Sequence, residues 1–254
     1  MRFEELPEPH AKISDLDVDT LSRVLKRTVN NWALQSFGLI GLDGDILVPT
    51  NAAIIVASPT PSMFIPSAHI RCARFSGTVR AHIEDRAEID TLLPAAPGLV
   101  SSFLRKNLSS VPEFSQLLLE ETPVPFRAIR ELVTNAIVHA DFSDQTAPIR
   151  VALFDDRIEI ENPGTLLPGV TPESMKLGVS RLRNPLIAHA FREMSLMEDW
   201  GTGFGHVVDE LYAHGLPEPK LEELSGVIRV TVFLTDTGVY DEPEPEPSRA
   251  YPEN

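Results

Sequence analysis

Between residues 124 and 160 the apolar period changes from that of a helix to that of a strand, and this switch restricts the fold most. Pro125 suits the first turn of a helix, where a missing N–H loses no partner. Ile129, Leu132, Val133, Ala136 and Ile137 then share one face. Ile149 to Phe154 and Arg157 to Ile160 alternate with period two on either side of Asp155-Asp156, which predicts a hairpin. Helices are predicted from Asn184 to Met194 and from about Gly203 to His214, and a last strand from Val227 to Leu234. This succession predicts an α+β protein in which helices cover one face of a mixed sheet.

The first 120 residues carry weaker signals. Asp17 to Val29 places Leu21, Val24, Leu25 and Val29 at helical spacing, with Asp17 or Asp19 as cap. Asp43-Gly44 reads as a turn before Ile46-Leu47-Val48, and Pro49-Thr50-Asn51 opens an apolar run from Ala52 to Ala57. Ser58 to Ser67, with three prolines, reads as loop; His69 to Phe75 as strand; Leu99 to Leu108 as helix. Beyond Thr237 the sequence DEPEPEPSRAYPEN has almost nothing to bury and is expected to be disordered.

Hydrophobic residues make up 43% of the 254, enough for ordinary globular cores. No apolar run approaches the ~20 residues that span a bilayer, and MRFEELPEPH is unlike a signal peptide. Cys72 is the single cysteine and lies in a strand-like run, so it reads as a small buried apolar residue in a reducing cytoplasm. The net charge of -15 argues against DNA binding, which depends on Lys and Arg displacing counterions from phosphates. Arg71, Arg74 and Arg80 form the one basic cluster.

Three motifs carry the chemistry. Glu131 and Asn135 lie four apart on the helix that begins near Pro125, so a carboxylate and a carboxamide oxygen share a face, and His139 continues the row. That pairing suits a base for water beside an Mg2+ ligand. Glu161-Asn162-Pro163-Gly164 ends a strand with a polar side chain followed by glycine, which lets backbone approach a planar ligand. Trp200-Gly201-Thr202-Gly203-Phe204-Gly205 opens a helix with alternate glycines, leaving N–H groups free to cradle phosphate. A dinucleotide-binding reading fails because no strand precedes Gly201.

In this order and spacing the three motifs resemble the nucleotide-binding boxes of the GHKL ATPases, the family of gyrase, histidine kinases and MutL. ELVTNAIVHADFS, DDRIEIENPG, SRLRNP and DWGTGFG resemble its divergent branch at the C-terminus of bacterial and archaeal transcriptional regulators, often labelled RecG-helicase-like. Residues 1–120 resemble the linking module of those regulators, 121–237 the ATP-binding GHKL (Bergerat-fold) domain, and 238–254 remain as the acidic tail. In the family a Schlafen/Alba-like DNA-binding domain comes first. DNA is therefore expected only through a separate or missing N-terminal domain, and a homodimer is among the assemblies the family setting allows.

The resemblance implies ATP or ADP with Mg2+ as ligands, Glu131 as the base that activates water, and Asn135 as the Mg2+ ligand. Asn162 stands where most members have an aspartate that accepts the adenine amino group. Gly164, Gly201, Thr202, Gly203 and Gly205 would line the nucleotide with His139. Thr165 to Asp199 would form a lid, with Lys176, Arg181 and Arg183 as phosphate partners or as solvated lid surface. The usual His-Arg-Asp-Tyr run is His139-Ala140-Asp141-Phe142 here. Three functions follow as alternatives: a nucleotide-dependent switch, a slow Mg2+-dependent ATPase, and a degenerate scaffold or dimerisation module.

Overall fold

The computed structural model describes residues 1–109, 111, 122–176, 179, 181–197 and 203–235. The acidic tail expected from residue 238 lies outside the described residues.

In chain order the elements begin with α1 (Val18–Val24), α2 (Asn31–Ser36), the β1 (Ile40–Asp43) and β2 (Ile46–Pro49) hairpin, and α3 (Asn51–Ala57). Next come β3 (Ile70–Phe75), β4 (Ile83–Ile89), α4 (Ala96–Leu108), α5 (Phe126–His139), β5 (Ile149–Leu153) and β6 (Arg157–Pro163). The chain continues through α6 (Pro172–Lys176), α7 (Pro185–Glu193), α8 (Gly203–Ala213), β7 (Lys220–Leu224) and β8 (Val227–Phe233).

Six strands form one sheet in the order β4-β3-β5-β6-β8-β7. All neighbours are antiparallel except β3 and β5, which pair parallel from Ile70↔Ile149 to Arg74↔Leu153. The sheet is thus continuous across residue 120. Ile70, Cys72, Ile149, Val151, Ile158 and Ile160 are buried beneath α4 and α5, which pack on β3 to β6. The alternation reserves the other face for charge. Register aligns Glu88, Arg71, Arg150, Glu161, Arg229 and Glu222 in one row across all six strands.

The helix predicted over Asp17 to Val29 is shorter than expected and ends at Val24. Asp17 caps α1 by accepting from Thr20 N at 2.9 Å, but Lys26 takes a left-handed conformation (φ 52°) that ends the helix, and Asn30 caps a second one. The run Ala52 to Ala57 is a helix whose every residue is buried, capped by Thr50. Pro125 serves as the N-cap of α5 rather than its first helical residue. Among the described residues no helix is long and apolar enough to cross a membrane.

Candidate functional site

The period of α5 that buries Leu132, Val133, Ala136 and Ile137 leaves Glu131, Asn135 and His139 as a half-buried row at the margin of the core. All three line a cleft of about 990 Å3, part of it open to solvent. Asn135 Nδ2 lies 3.4 Å from Glu131 Oε1, a long hydrogen bond that keeps the two side chains side by side. The opposite wall is the sheet, through Ile160 and Asn162 of β6, Ile228 and Val230 of β8, and Leu221 of β7. Thr165, Leu166, Leu167, Val170, Met175 and Val179 close the side between β6 and α7.

Gly203, at the start of α8, touches the cleft floor. A Cβ there would fall well inside contact distance of Glu131 Oε1 and 3.2 Å from Glu131 Cδ. With glycine there, α8 begins against that carboxylate; a larger residue would require the Glu131 side chain to move. Gly205 meets no such restriction, since a Cβ there would have nothing within 4 Å. Gly201 and Thr202 lie outside the described residues.

Asn162 is buried on β6, with Nδ2 3.3 Å from Pro163 O. Its neighbour Glu161 points to the other face, where Arg80 and Arg229 hold it at 2.6 and 2.7 Å. Gly164 has φ 107°, and a Cβ there would approach Arg183 Nη2 and Asp141 Cβ to 3.1 Å. The glycine therefore admits the Arg183 guanidinium.

The three predicted cations of the lid differ. Arg183 donates from Nε to His139 O at 3.1 Å and from Nη2 to Thr165 O at 2.6 Å, and its Nη1 lies 3.4 Å from Asp141 Oδ2. It stitches the end of α5 to the start of the lid. Arg181 also lines the cleft but is exposed, and among the described residues it has no carboxylate partner. Lys176 ends α6, and its side chain lies outside the described set.

Burial pushes the His139 imidazole down to a pKa of about 4, with the positive charge of Arg183 adding to the effect. It is neutral at physiological pH and offers the cleft a donor or an acceptor, not a charge. Among the described residues no three His, Cys, Asp or Glu side chains gather as a metal site. A cation bound at Asn135 would take its remaining ligands from a bound molecule and water, the habit of Mg2+ at phosphates.

Three parts of this site had no clear signal in sequence. Asn184 donates from Nδ2 to Val138 O at 3.0 Å and Ala140 O at 2.8 Å, closing the end of α5. The Asn-Pro step in SRLRNP was the only trace of it. Asp141 N donates to Pro163 O at 2.8 Å, tying α5 to the end of β6. A smaller cavity of about 300 Å3 backs onto the cleft, sharing Glu131 and Gly203 and adding Arg127, His206 and Glu210.

Similarity to known proteins is limited and consistent with this geometry. The family described as "Putative ATP-dependent DNA helicase recG C-terminal" matches residues 146–232, about a third of the chain. This partial match to a divergent GHKL/HATPase-type domain includes Asn162, Gly164 and Gly203 and stops short of Glu131, Asn135 and His139. Among solved structures, the DIP2311 protein from Corynebacterium diphtheriae superposes with a TM-score of 0.68 at 18% identity, over 91% of this chain and 46% of that one. The chain thus spans less than half the length of that protein, and at this identity the likeness is one of fold. No curated protein matches the chain. What the fold and the matched segment establish is an α+β protein with weak kinship to an ATPase-like domain family.

Proposed function

We propose that the cleft binds an adenine nucleotide with Mg2+ and that residues 121–237 act as a GHKL module switched by its occupancy. The observation that carries this reading is convergence. Glu131, Asn135 and His139 from α5, Asn162 from β6 and Gly203 from α8 meet around one partly apolar cleft of about 990 Å3. Ile160, Ile228 and Val230 offer an apolar wall for a base, and Asn162 supplies a buried amide beside it. The amide oxygen accepts a hydrogen bond from an exocyclic amino group without the added strength of a charge.

At the other end the start of α8 would present backbone to a phosphate, and Arg181 lines the cleft without a carboxylate partner among the described residues. Bound Mg2+ would neutralise phosphate charge, with Asn135 as its protein ligand. Glu131 is the carboxylate that would orient water and take its proton, the step a slow ATPase would need. The switch reading is favoured by Asn162, which lacks the charge that would hold the base tightly. In the same reading residues 1–120 are the linking module, and any DNA contact is made through another domain.

Calorimetric titration of the full chain with ATP and Mg2+ tests the proposal. Heat of binding is expected, with thermal stabilisation of roughly 2.7 kcal/mol at ~100 times the dissociation constant. No heat and no thermal shift at millimolar nucleotide would sink it. Glu131→Ala is expected to bind ATP nearly as well while losing ~100-fold of any turnover. Asn135→Ala is expected to weaken binding in Mg2+ and to matter little in EDTA. A wild type that binds without turnover above background is a switch and not an enzyme.

A further inference from the structure

Glu4 is a carboxylate with no exposed surface, on a short 3-10 turn at Phe3–Glu5. Both of its oxygens accept from Leu186 N at 3.0 Å, and Oε2 also accepts from Ile187 N at 3.0 Å. These are the first free amides of α7, since Pro185 has no N–H. The helix's own N-cap residue, Asn184, does not cap it, because its amide is turned to Val138 O and Ala140 O. Capping is therefore delegated to a residue 182 positions away. No described cation pairs with Glu4, and burial raises its carboxyl above the usual range while the two backbone amides oppose that rise. A buried carboxylate is a costly way to cap a helix that a local Ser or Asp would cap well.

The segment bearing Glu4 is itself strapped to the amino-terminal half. Asn51 Nδ2 donates to Phe3 O and Asn51 N to Leu6 O, each at 2.9 Å, and Pro7 bridges Thr50. Beyond α7, Arg183 and Asn184 hold the end of α5 at His139, which lines the cleft. The chain of contacts from Glu4 to the cleft has three links: α7 first turn, Arg183-Asn184, and the backbone at Val138–Ala140.

We propose that Glu4 is a positioning residue for the cleft: by fixing the first turn of α7 it sets how Arg183 and Asn184 hold the end of α5, so that the amino-terminal segment governs ligand affinity. The affinity part of this proposal rests on the nucleotide reading; the positional part does not.

The test uses the full chain as wild type, Glu4→Gln and Glu4→Ala, with Glu4→Gln carrying the comparison if Glu4→Ala does not fold. Hydrogen exchange of residues 138–141 and 183–193 is followed without ligand, and ATP–Mg2+ binding is titrated at a temperature where each variant is folded. Glu4→Ala is expected to speed exchange in both segments and to weaken ATP about tenfold, as loss of a charge-assisted bond would. Glu4→Gln should be intermediate, because its oxygen still accepts. Faster exchange in α7 alone, or a lowered Tm with unchanged affinity, would make Glu4 a mere cap and overturn the proposal. If the wild type binds no nucleotide, the nucleotide reading falls, and exchange at 138–141 alone decides the coupling: unchanged rates there overturn it.

Discussion

Gly203 lies directly against Glu131: a Cβ on the first residue of α8 would enter the Glu131 carboxylate as it now stands. The contact makes the glycine motif and the α5 carboxylate one unit, although 72 positions separate them in the chain. It also makes the unit easy to disturb.

Gly203→Ala is expected to destabilise the protein by about 1–3 kcal/mol, the usual cost of overpacking, and to reduce nucleotide binding. The double variant Gly203→Ala/Glu131→Ala should recover much of the loss, because the second change removes the atoms that collide. Urea unfolding of the four proteins of this cycle gives the coupling, expected above ~0.5 kcal/mol for residues in contact. Additive effects would mean that the two side chains do not meet.

Arg181 and Arg183 should separate binding from stability. Arg183→Ala leaves His139 O and Thr165 O without their donor and is expected to cost about 1–3 kcal/mol of stability. Arg181→Ala removes an exposed cation without a described partner, so stability should change by less than ~0.5 kcal/mol while ATP affinity falls. Equal effects of the two variants on thermal unfolding would contradict these roles.

His139 makes stability depend on pH. Its folded pKa of about 4 lies below the unfolded value near 6.5, so between these limits the unfolded chain binds the extra proton. Its contribution is complete above pH 6.5 and is lost as pH falls towards 4, by up to ~1.4 kcal/mol per unit. Glu4, whose folded pKa is raised, works in the opposite sense just above its ordinary range. His139→Gln should therefore flatten the decline measured by urea unfolding between pH 7 and 5. An unchanged slope would show that His139 does not lower its pKa on folding.

Duplex DNA should bind weakly. The basic cluster read from sequence is neutralised in the fold: Arg71 pairs with Glu88 at 3.4 Å, Arg74 with Asp155 and Glu84, and Arg80 with Glu159 and Glu161 at 2.6 Å each. Fluorescence anisotropy with a random duplex at physiological salt is expected to give a dissociation constant no tighter than the ~10⁻⁴–10⁻⁶ M of non-specific binding. Sub-micromolar binding would point to a basic surface beyond these three arginines.

The sequence determined what depends on periodicity within a single element. The apolar face of α5, the β5–β6 hairpin, α7, α8 and β8 follow from runs of side chains whose burial repeats every 3.6 or two residues. The row Glu131, Asn135 and His139 follows from the same helix geometry, and the buried Cys72 from its strand. Strands β4 and β7 did not show, because IEDRAEI and KLEEL expose charge and carry no apolar alternation. Tertiary structure alone decided what depends on distant partners. The parallel pairing of β3 with β5 joins the two halves into one sheet, the capping of α7 by Glu4 spans most of the chain, and Arg183 donates to the backbone carbonyls of His139 and Thr165. Each of these joins residues between 18 and 182 positions apart, through hydrogen bonds whose partners leave no local mark on the sequence.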